Sequence, residues 1–202
     1  DQDRELSLLH AQYAADALLG LLSTNDIGAF EKHEKVSDIR DRLAAIAATY
    51  SRAGEIPDIT EPFQRDLFNT YRAAAFEKMT PIRLDRHADA RGSFFEVVRA
   101  QGGAGQTSFS TTVPGVTRGQ HFHRRKVERF TVLSGEAVIA LRRLFTSEVR
   151  EYRVSSESPA SIDMPTMWAH NITNVGQAEL FTAFWSNELF DQKHPDTIAE
   201  PV

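Results

Sequence analysis

One stretch of the sequence decides the fold: Gly115-Val116-Thr117-Arg118-Gly119-Gln120-His121-Phe122-His123-Arg124-Arg125-Lys126-Val127-Glu128-Arg129-Phe130-Thr131-Val132-Leu133-Ser134-Gly135. Its two ends are strand-like, and a short basic loop separates them. His121 and His123 are two positions apart, so both imidazoles would point to the same face of the first strand. Glu128 follows at the start of the second strand. The stretch therefore predicts neighbouring strands that bring two imidazoles and a carboxylate near one another.

The strand pattern continues through residues 81–202. Short alternating or apolar runs are separated by turn pairs such as Pro114-Gly115, Ser134-Gly135 and Val175-Gly176. This rhythm is typical of a β-sandwich or barrel. The predicted strands cover residues 93–99, 106–112, 120–123, 129–133, 137–144, 149–154, 160–164, 169–172 and 180–185.

In residues 1–80 the apolar residues instead recur with the period of a helix. One helix is predicted over Tyr13 to Leu22, a second is capped by Ser37, and a third opens at Thr60. Three helices enclose only a small core, so we expect this region to pack on something larger. The predicted fold class is α+β, with a small helical segment over residues 1–80 and an all-β barrel over residues 81–202.

Composition and charge exclude several function classes. The 202 residues are 41% hydrophobic and include no cysteine, which excludes disulfides, thiolate metal sites and thiol nucleophiles. The net charge is −5, and residues 81–202 hold 14 basic and 14 acidic side chains, so no nucleic-acid partner is expected. No long apolar run or targeting pattern occurs, so we expect a cytoplasmic protein without a membrane partner.

Two sets of side chains are candidates for ligand binding. A third imidazole, His170, lies in another predicted strand; three nitrogens and one carboxylate suit Zn, Fe, Mn, Co or Ni in an open site. The alternative is three unrelated histidines. Five basic residues could hold a phosphate-bearing small molecule or form a solvated face. They are Arg118, Arg124, Arg125, Lys126 and Arg129.

The spacing Gly115-x5-His121-x-His123-x4-Glu128-x6-Gly135 resembles the first motif of the cupin family. Residues 165–174 resemble the second motif, with Met167 at a position where the family has glycine. The resemblance implies a double-stranded β-helix, or jelly-roll barrel. It also implies a divalent metal, zinc in the first place, held by four ligands: His121, His123, Glu128 and His170.

Residues 89–96 and 114–121 resemble paired segments of nucleotide-diphospho-sugar 3,5-epimerases of the dTDP-4-keto-rhamnose type. This resemblance implies that Arg91 and Arg118 contact the substrate and its phosphates. The chain departs from that family at His123 and Glu128, which replace a glutamine and a lysine. The change would convert a metal-free proton-transfer site into a metal site, so His121 is expected to be a ligand rather than a free base.

Residues 119–130, 185–191 and 195–197 resemble the C-terminal cupin of the bifunctional epimerase/reductases of capsular polysaccharide synthesis, which make UDP-2-acetamido-2,6-dideoxy-L-talose. The resemblance implies that residues 1–80 are a helical remnant of a short-chain dehydrogenase/reductase substrate domain, and that the cupin forms a homodimer. The chain has neither the glycine-rich loop nor the Tyr-x-x-x-Lys pair of a reductase. NADP is therefore expected only in a full-length parent and not in this chain.

The implied function is metal-dependent C3 epimerisation of a UDP-4-keto-6-deoxy-N-acetylhexosamine. Lys126 is the candidate catalytic base, because burial beside a cation would favour its neutral amine. Its alternative role is a phosphate or surface contact. Two other functions stay open: a non-catalytic cupin for sugar binding or dimerisation, and an iron-dependent dioxygenase. The Arg91 and Arg118 segments favour a nucleotide sugar.

Overall fold

The helical part of the chain ends at Met79, and the first barrel strand begins at Ile82. The computed structural model describes residues 3–89 and 92–202. Among these residues, no helix is long and apolar enough to cross a bilayer. The helices are α1 Ala11–Leu18, a 3₁₀ helix Ile27–Phe30, α2 Val36–Ile46 with a π-helical turn Ala47–Ser51, and α3 Pro62–Met79.

The strands follow the predicted order with small differences at most ends, but the strand predicted over residues 93–99 extends only to Phe94. Two runs, Gln106–Thr112 and Ala160–Met164, have the predicted bounds. The strands are β1 Glu5–Leu8, β2 Lys32–Lys35, β3 Ile82–Arg83, β4 His87–Asp89, β5 Gly92–Phe94, β6 Gln106–Thr112, β7 Thr117–Phe122, β8 Glu128–Ser134, β9 Glu136–Arg143, β10 Val149–Ser155, β11 Ala160–Met164, β12 Trp168–Asn174, β13 Leu180–Ser186 and β14 Ile198–Ala199.

Two five-stranded antiparallel sheets form the barrel. One has the order β10-β9-β12-β7-β14 and the other β3-β11-β8-β13-β6. Their inward side chains share one core, in which Leu141 and Ile172 of the first sheet meet Val132 and Met164 of the second. Each such side chain stabilises the fold by about 1.5–3 kcal/mol. The α+β fold class, a helical segment followed by a cupin barrel, is confirmed.

A second core joins the helices to the outer face of the barrel. Ile46, Tyr50 and Phe68 from the helical segment pack with Val127 and Trp185 from the barrel. All five side chains are buried. The helical segment thus buries its apolar faces on the barrel rather than in a core of its own.

Buried charges cross the same boundary. Arg129 on β8 donates to both carboxylate oxygens of Asp163 on β11, at 2.7 and 3.2 Å, and Tyr50 donates to the same carboxylate at 2.6 Å. Arg72 on α3 is fully buried and donates to the carbonyl of Met164 at 2.9 Å. These charges are tolerated inside the protein because each has partners. The helical segment therefore supplies part of a polar layer between itself and the outer face of the barrel.

The helical region also contains a two-stranded sheet that its sequence does not predict. β1 pairs antiparallel with β2, but Lys32-His33-Glu34-Lys35 has no apolar alternation to indicate a strand. Helix α1 ends at Leu18, four residues earlier than predicted, because the chain turns at Gly20 with a φ of 73°. The Ser37 hydroxyl bonds to Asp3 instead of capping α2.

Candidate metal centre

The strand register brings three imidazoles together at one place in the barrel. His121 on β7 lies directly opposite His170 on β12, with ring centroids 4.6 Å apart. The ring of His123 is 5.0 Å from that of His121 and 5.3 Å from that of His170. The sequence predicted His123 inside a strand, but β7 ends at Phe122 and His123 lies just beyond it. The three rings nevertheless converge.

A β-bulge in β7 explains how this happens. Gly119 and Gln120 have φ values of 101° and 63°, and the ladder to β12 shifts its register between His170 and Asn171. The extra residue bends the strand and changes the direction of the side chains that follow. His121 thereby stands opposite His170, and the next residues leave the sheet as the loop that carries His123.

Glu128, at the start of β8, completes the cluster. Its carboxylate accepts a hydrogen bond from the His123 Nε2 at 2.8 Å and lies 3.9 Å from the Nε2 of His170. One ligand atom from each of the four residues lies within 4.8 Å of all the others. Within the described part of the chain, the buried Nε2 of His170 meets no hydrogen-bond partner. A divalent cation would satisfy this nitrogen, and the donor set suits Zn or another borderline metal.

The protonation states of the cluster also suit a cation. Burial and the nearby His123 and His121 rings lower the pKa of His170 to about 3. Burial, followed by the charge of His123, lowers the pKa of His121 as well. Burial opposes the charged forms of Glu128 and His123, yet their mutual hydrogen bond lowers the pKa of Glu128 and raises that of His123. A metal would therefore need to displace a proton from His123 but not from His170.

Backbone carbonyls orient two of the rings. The Nδ1 of His123 donates to the carbonyl of Asp196, and the Nδ1 of His170 donates to the carbonyl of Trp168 at 3.2 Å. The second bond leaves a lone pair on the Nε2 of His170, which faces the cluster, and the Nε2 of His123 would gain one once its proton is displaced from the bond to Glu128. Carbonyl partners of this kind fix the tautomer and the orientation of a ligand ring.

The other predicted site residues lie in different surroundings. Lys126 is buried in the loop between His123 and Glu128, two residues before β8 begins. Arg118 is exposed and pairs across the ladder with Ile172, a core residue, which places it on the inner face of its sheet. Arg91 lies outside the described residues.

The five basic residues singled out in the sequence do not form one anion site. Arg129 is buried against Asp163, Arg125 pairs with Glu188 at 3.1 Å, and Arg124 lies 3.4 Å from Asp16. These three arginines bind carboxylates of the protein itself. The other two members are Arg118, opposite Ile172 on the inner face of its sheet, and Lys126, two residues before Glu128.

Two aromatic residues without a predicted role border the cluster. The ring of Phe130 lies 6.1 Å from that of His170 and 5.5 Å from that of Phe184. Both occupy inward positions of their strands, two residues beyond Glu128 and two before Ser186. The alternation of β8 and β13 could have indicated them as an apolar wall of the site.

The barrel can also be compared with known proteins. Residues 87–198, more than half of the chain, match the family described as the polysaccharide biosynthesis C-terminal domain. The chain belongs to this family. The resemblance to polysaccharide-synthesis cupins inferred from the sequence is thus confirmed at the level of the family.

The chain is also similar to a UDP-2-acetamido-2,6-beta-L-arabino-hexul-4-ose reductase from Pseudomonas aeruginosa. It is 37% identical over 135 residues, which cover 67% of this chain and 36% of the relative. The spore coat polysaccharide biosynthesis protein SpsL of Bacillus subtilis is 26% identical over 56% of this chain and 82% of its own length. The crystal structure of the capsular polysaccharide assembling protein CapF from Staphylococcus aureus, 30% identical, covers 100% of this chain and 56% of that chain with a TM-score of 0.49. The chain thus spans about a third of the Pseudomonas relative.

Proposed function

We propose that this domain is a metal-dependent C3 epimerase of a UDP-4-keto-6-deoxy-N-acetylhexosamine in the synthesis of a surface polysaccharide precursor. The observation that carries the proposal is the four-residue donor cluster inside the barrel of a polysaccharide biosynthesis domain. The name of the Pseudomonas relative contains a UDP-linked 4-ketose with a 2-acetamido group, which supports this class of substrate.

The reaction requires acid–base chemistry at C3. A ketone at C4 makes the proton on C3 acidic, and epimerisation removes it from one face and returns it to the other. A bound divalent ion, held by His121, His123, Glu128 and His170, would supply Lewis-acid stabilisation of the negative charge on the carbonyl oxygen. The protein must then provide a base, an acid and a binding site for the diphosphate.

Lys126 is our candidate for the base. It is buried in the loop between two of the donors, His123 and Glu128, and a neutral amine can act as a general base. Arg118, on the inner face of its sheet, and Arg91 are proposed to bind the diphosphate, because a guanidinium can bond two phosphate oxygens at once. Phe130 and Phe184 would form an apolar wall that excludes water beside the sugar.

The division of the chain is proposed along the same lines. Residues 1–80 are interpreted as the helical end of a short-chain reductase substrate domain and residues 81–202 as the cupin. NADP would then bind to a longer parent protein rather than to this chain. A homodimer through the cupin and a cytoplasmic location are parts of the same proposal.

A non-catalytic sugar-binding module is the second candidate. Four protein donors lie close enough together to complete a tetrahedral coordination sphere by themselves. Closed sites of this kind are structural, whereas catalytic sites keep a position open for water or substrate. The two functions therefore differ in whether bound substrate undergoes chemistry.

Hydrogen exchange at C3 distinguishes an epimerase from a sugar-binding module. The metal-loaded protein is mixed with a UDP-4-keto sugar in deuterated water, and the C3 proton is followed by NMR. We expect deuterium at C3 with the parent and with His33→Ala, an exposed residue of β2, and much slower incorporation with Lys126→Met. A protein that binds the sugar nucleotide without C3 exchange would instead be a binding module.

A further inference from the structure

The C-terminal segment, residues 194–202, lies against the loop that carries His123. Its strand β14 pairs with the end of β7, with Ile198 opposite Phe122 and Ala199 opposite His121. The N–H of Glu200 donates to the carbonyl of Gln120, the bulge residue, at 2.9 Å. The segment therefore contacts the metal-site region on the side opposite β12.

Asp196 is the most deeply buried polar residue of this segment. Its carboxylate accepts hydrogen bonds from three consecutive backbone N–H groups, those of Arg124 at 3.1 Å, Arg125 at 2.8 Å and Lys126 at 2.9 Å. Its side chain is 1% exposed. Successive N–H groups that point to one anion define the local path of the backbone. The carboxylate thus fixes the loop between His123 and Glu128.

The backbone of Asp196 makes a second contact with the same region. Its carbonyl accepts the hydrogen bond from the Nδ1 of His123, while the Nε2 of that ring faces Glu128. One residue therefore holds both a ligand ring and the loop that leads to the next ligand. If the carboxylate lost its three N–H partners, the carbonyl would also lose its fixed position.

We infer that Asp196 is a positioning residue of the metal centre. It orients His123 so that its Nε2 faces the ion, and it sets the path of the loop to Lys126 and Glu128. It is not one of the four donors of the proposed centre. This inference rests on the proposed metal centre. It adds that the affinity of the centre for its ion depends on Asp196, which lies 73 positions after His123 in the sequence.

Metal affinity in matched aspartate variants tests the inference. Zn²⁺ affinity is measured by competition with a chromogenic chelator for the parent, Asp196→Ala, Asp196→Asn and the control Asp191→Asn. Asp191 belongs to the same end of the chain and also accepts a backbone N–H, from Lys193 at 2.8 Å, but its side chain is 55% exposed. Loss of an outer partner of a ligand typically weakens metal binding by about 10- to 100-fold. We expect that loss for Asp196→Ala, a smaller loss for Asp196→Asn, and none for Asp191→Asn.

A second readout separates positioning from a general loss of stability. In Asp196→Ala, hydrogen exchange of the backbone amides of residues 124–126 should become faster, while that of β9 and β10 should stay unchanged. Asp196→Asn keeps the side-chain volume and serves as the folded variant if the alanine variant fails to fold. A folded Asp196 variant with the parent's Zn²⁺ affinity would overturn the inference alone. A parent that binds no Zn²⁺ would overturn the proposed metal centre together with it.

Discussion

Gly119 packs against the backbone of His170 so closely that a Cβ atom at residue 119 would lie 2.9 Å from the His170 carbonyl oxygen. The same atom would lie 3.0 Å from the Cα of Asn171. The φ of Gly119, 101°, is a conformation that other residues rarely adopt. The bulge that places His121 opposite His170 therefore requires glycine at this position.

Gly119→Ala should weaken both the fold and the metal site. The left-handed conformation alone costs about 1–3 kcal/mol for a residue with a side chain, and the contact with His170 adds to it. Chemical denaturation and Zn²⁺ titration measure the two effects. The matched control is Gly28→Ala, because a Cβ atom there meets no atom within 4 Å. Equal unfolding free energies for the two variants would contradict this account of the bulge.

Met167 occupies a position where the second cupin motif has glycine, and its φ of 64° is left-handed. A side chain in this conformation costs about 1–2 kcal/mol. Met167→Gly should therefore increase the free energy of unfolding by about 1 kcal/mol, even though glycine is usually destabilising. The control Glu157→Gly, in an exposed bend outside the left-handed region, should decrease it. Destabilisation by both variants would show that the loop has no strain to relieve.

The buried pair Arg129 and Asp163 should be sensitive to the loss of one partner. Asp163→Asn leaves the Arg129 guanidinium, 2% exposed, without its counter-charge and should cost about 3–5 kcal/mol. The double variant Arg129→Met with Asp163→Leu should cost less, because no charge stays buried. Urea denaturation measures both. A double variant less stable than Asp163→Asn would be inconsistent with this interpretation.

The pair Arg129 and Asp163 should also make the stability of the fold depend on pH. Burial opposes the charge of Asp163, but Arg129 holds the pKa of this carboxyl below its ordinary value. The pKa of the Asp163 carboxyl is lower in the folded protein than in the unfolded chain, where it is about 3.9. The carboxyl therefore contributes its full stabilisation above that unfolded-state pKa, and this stabilisation is lost as the pH falls through the folded-state pKa. Below about pH 4 the parent should therefore lose stability more steeply than the Arg129→Met, Asp163→Leu double variant. Parallel stability curves would exclude this contribution.

Arg118→Ala should weaken binding of a UDP-sugar by about 10- to 100-fold, which corresponds to the loss of a charge-assisted bond to phosphate. The metal content should stay the same, since Arg118 is not among the donors. Calorimetry of the metal-loaded protein measures the affinity. Arg153→Ala is the control, because Arg153 is 66% exposed on β10 and pairs with Glu136. If Arg118→Ala binds the sugar nucleotide as tightly as the parent, Arg118 does not hold the diphosphate.

Local sequence patterns were sufficient for most of the barrel. β6 and β11 were predicted to the residue because each is a strand-like run between turn residues. β14 has two residues and β2 is wholly polar, so neither has a pattern to detect. Their pairing depends on segments that are distant in the sequence.

Three of the four candidate ligands, His121, His123 and Glu128, were predicted for a similar reason, because they lie within one short stretch; His170 lies in a separate strand. The place of His123 in a loop was not predictable, since it follows from the bulge at Gly119 and Gln120. Nor was the role of Asp196, whose contacts form only after the C-terminal segment has packed on that loop. Local spacing indicated the donors, while tertiary contacts determine their orientation.

The number of divalent ions bound per chain tests the central claim, that His121, His123, Glu128 and His170 form one metal centre. Metal content is determined by elemental analysis after saturation with Zn²⁺ and gel filtration, for the parent, His170→Ala and His33→Ala. We predict one ion per chain for the parent and for His33→Ala, whose imidazole is exposed on β2, and little metal for His170→Ala. A parent without bound ion, or a His170→Ala variant with as much metal as the parent, would contradict the account.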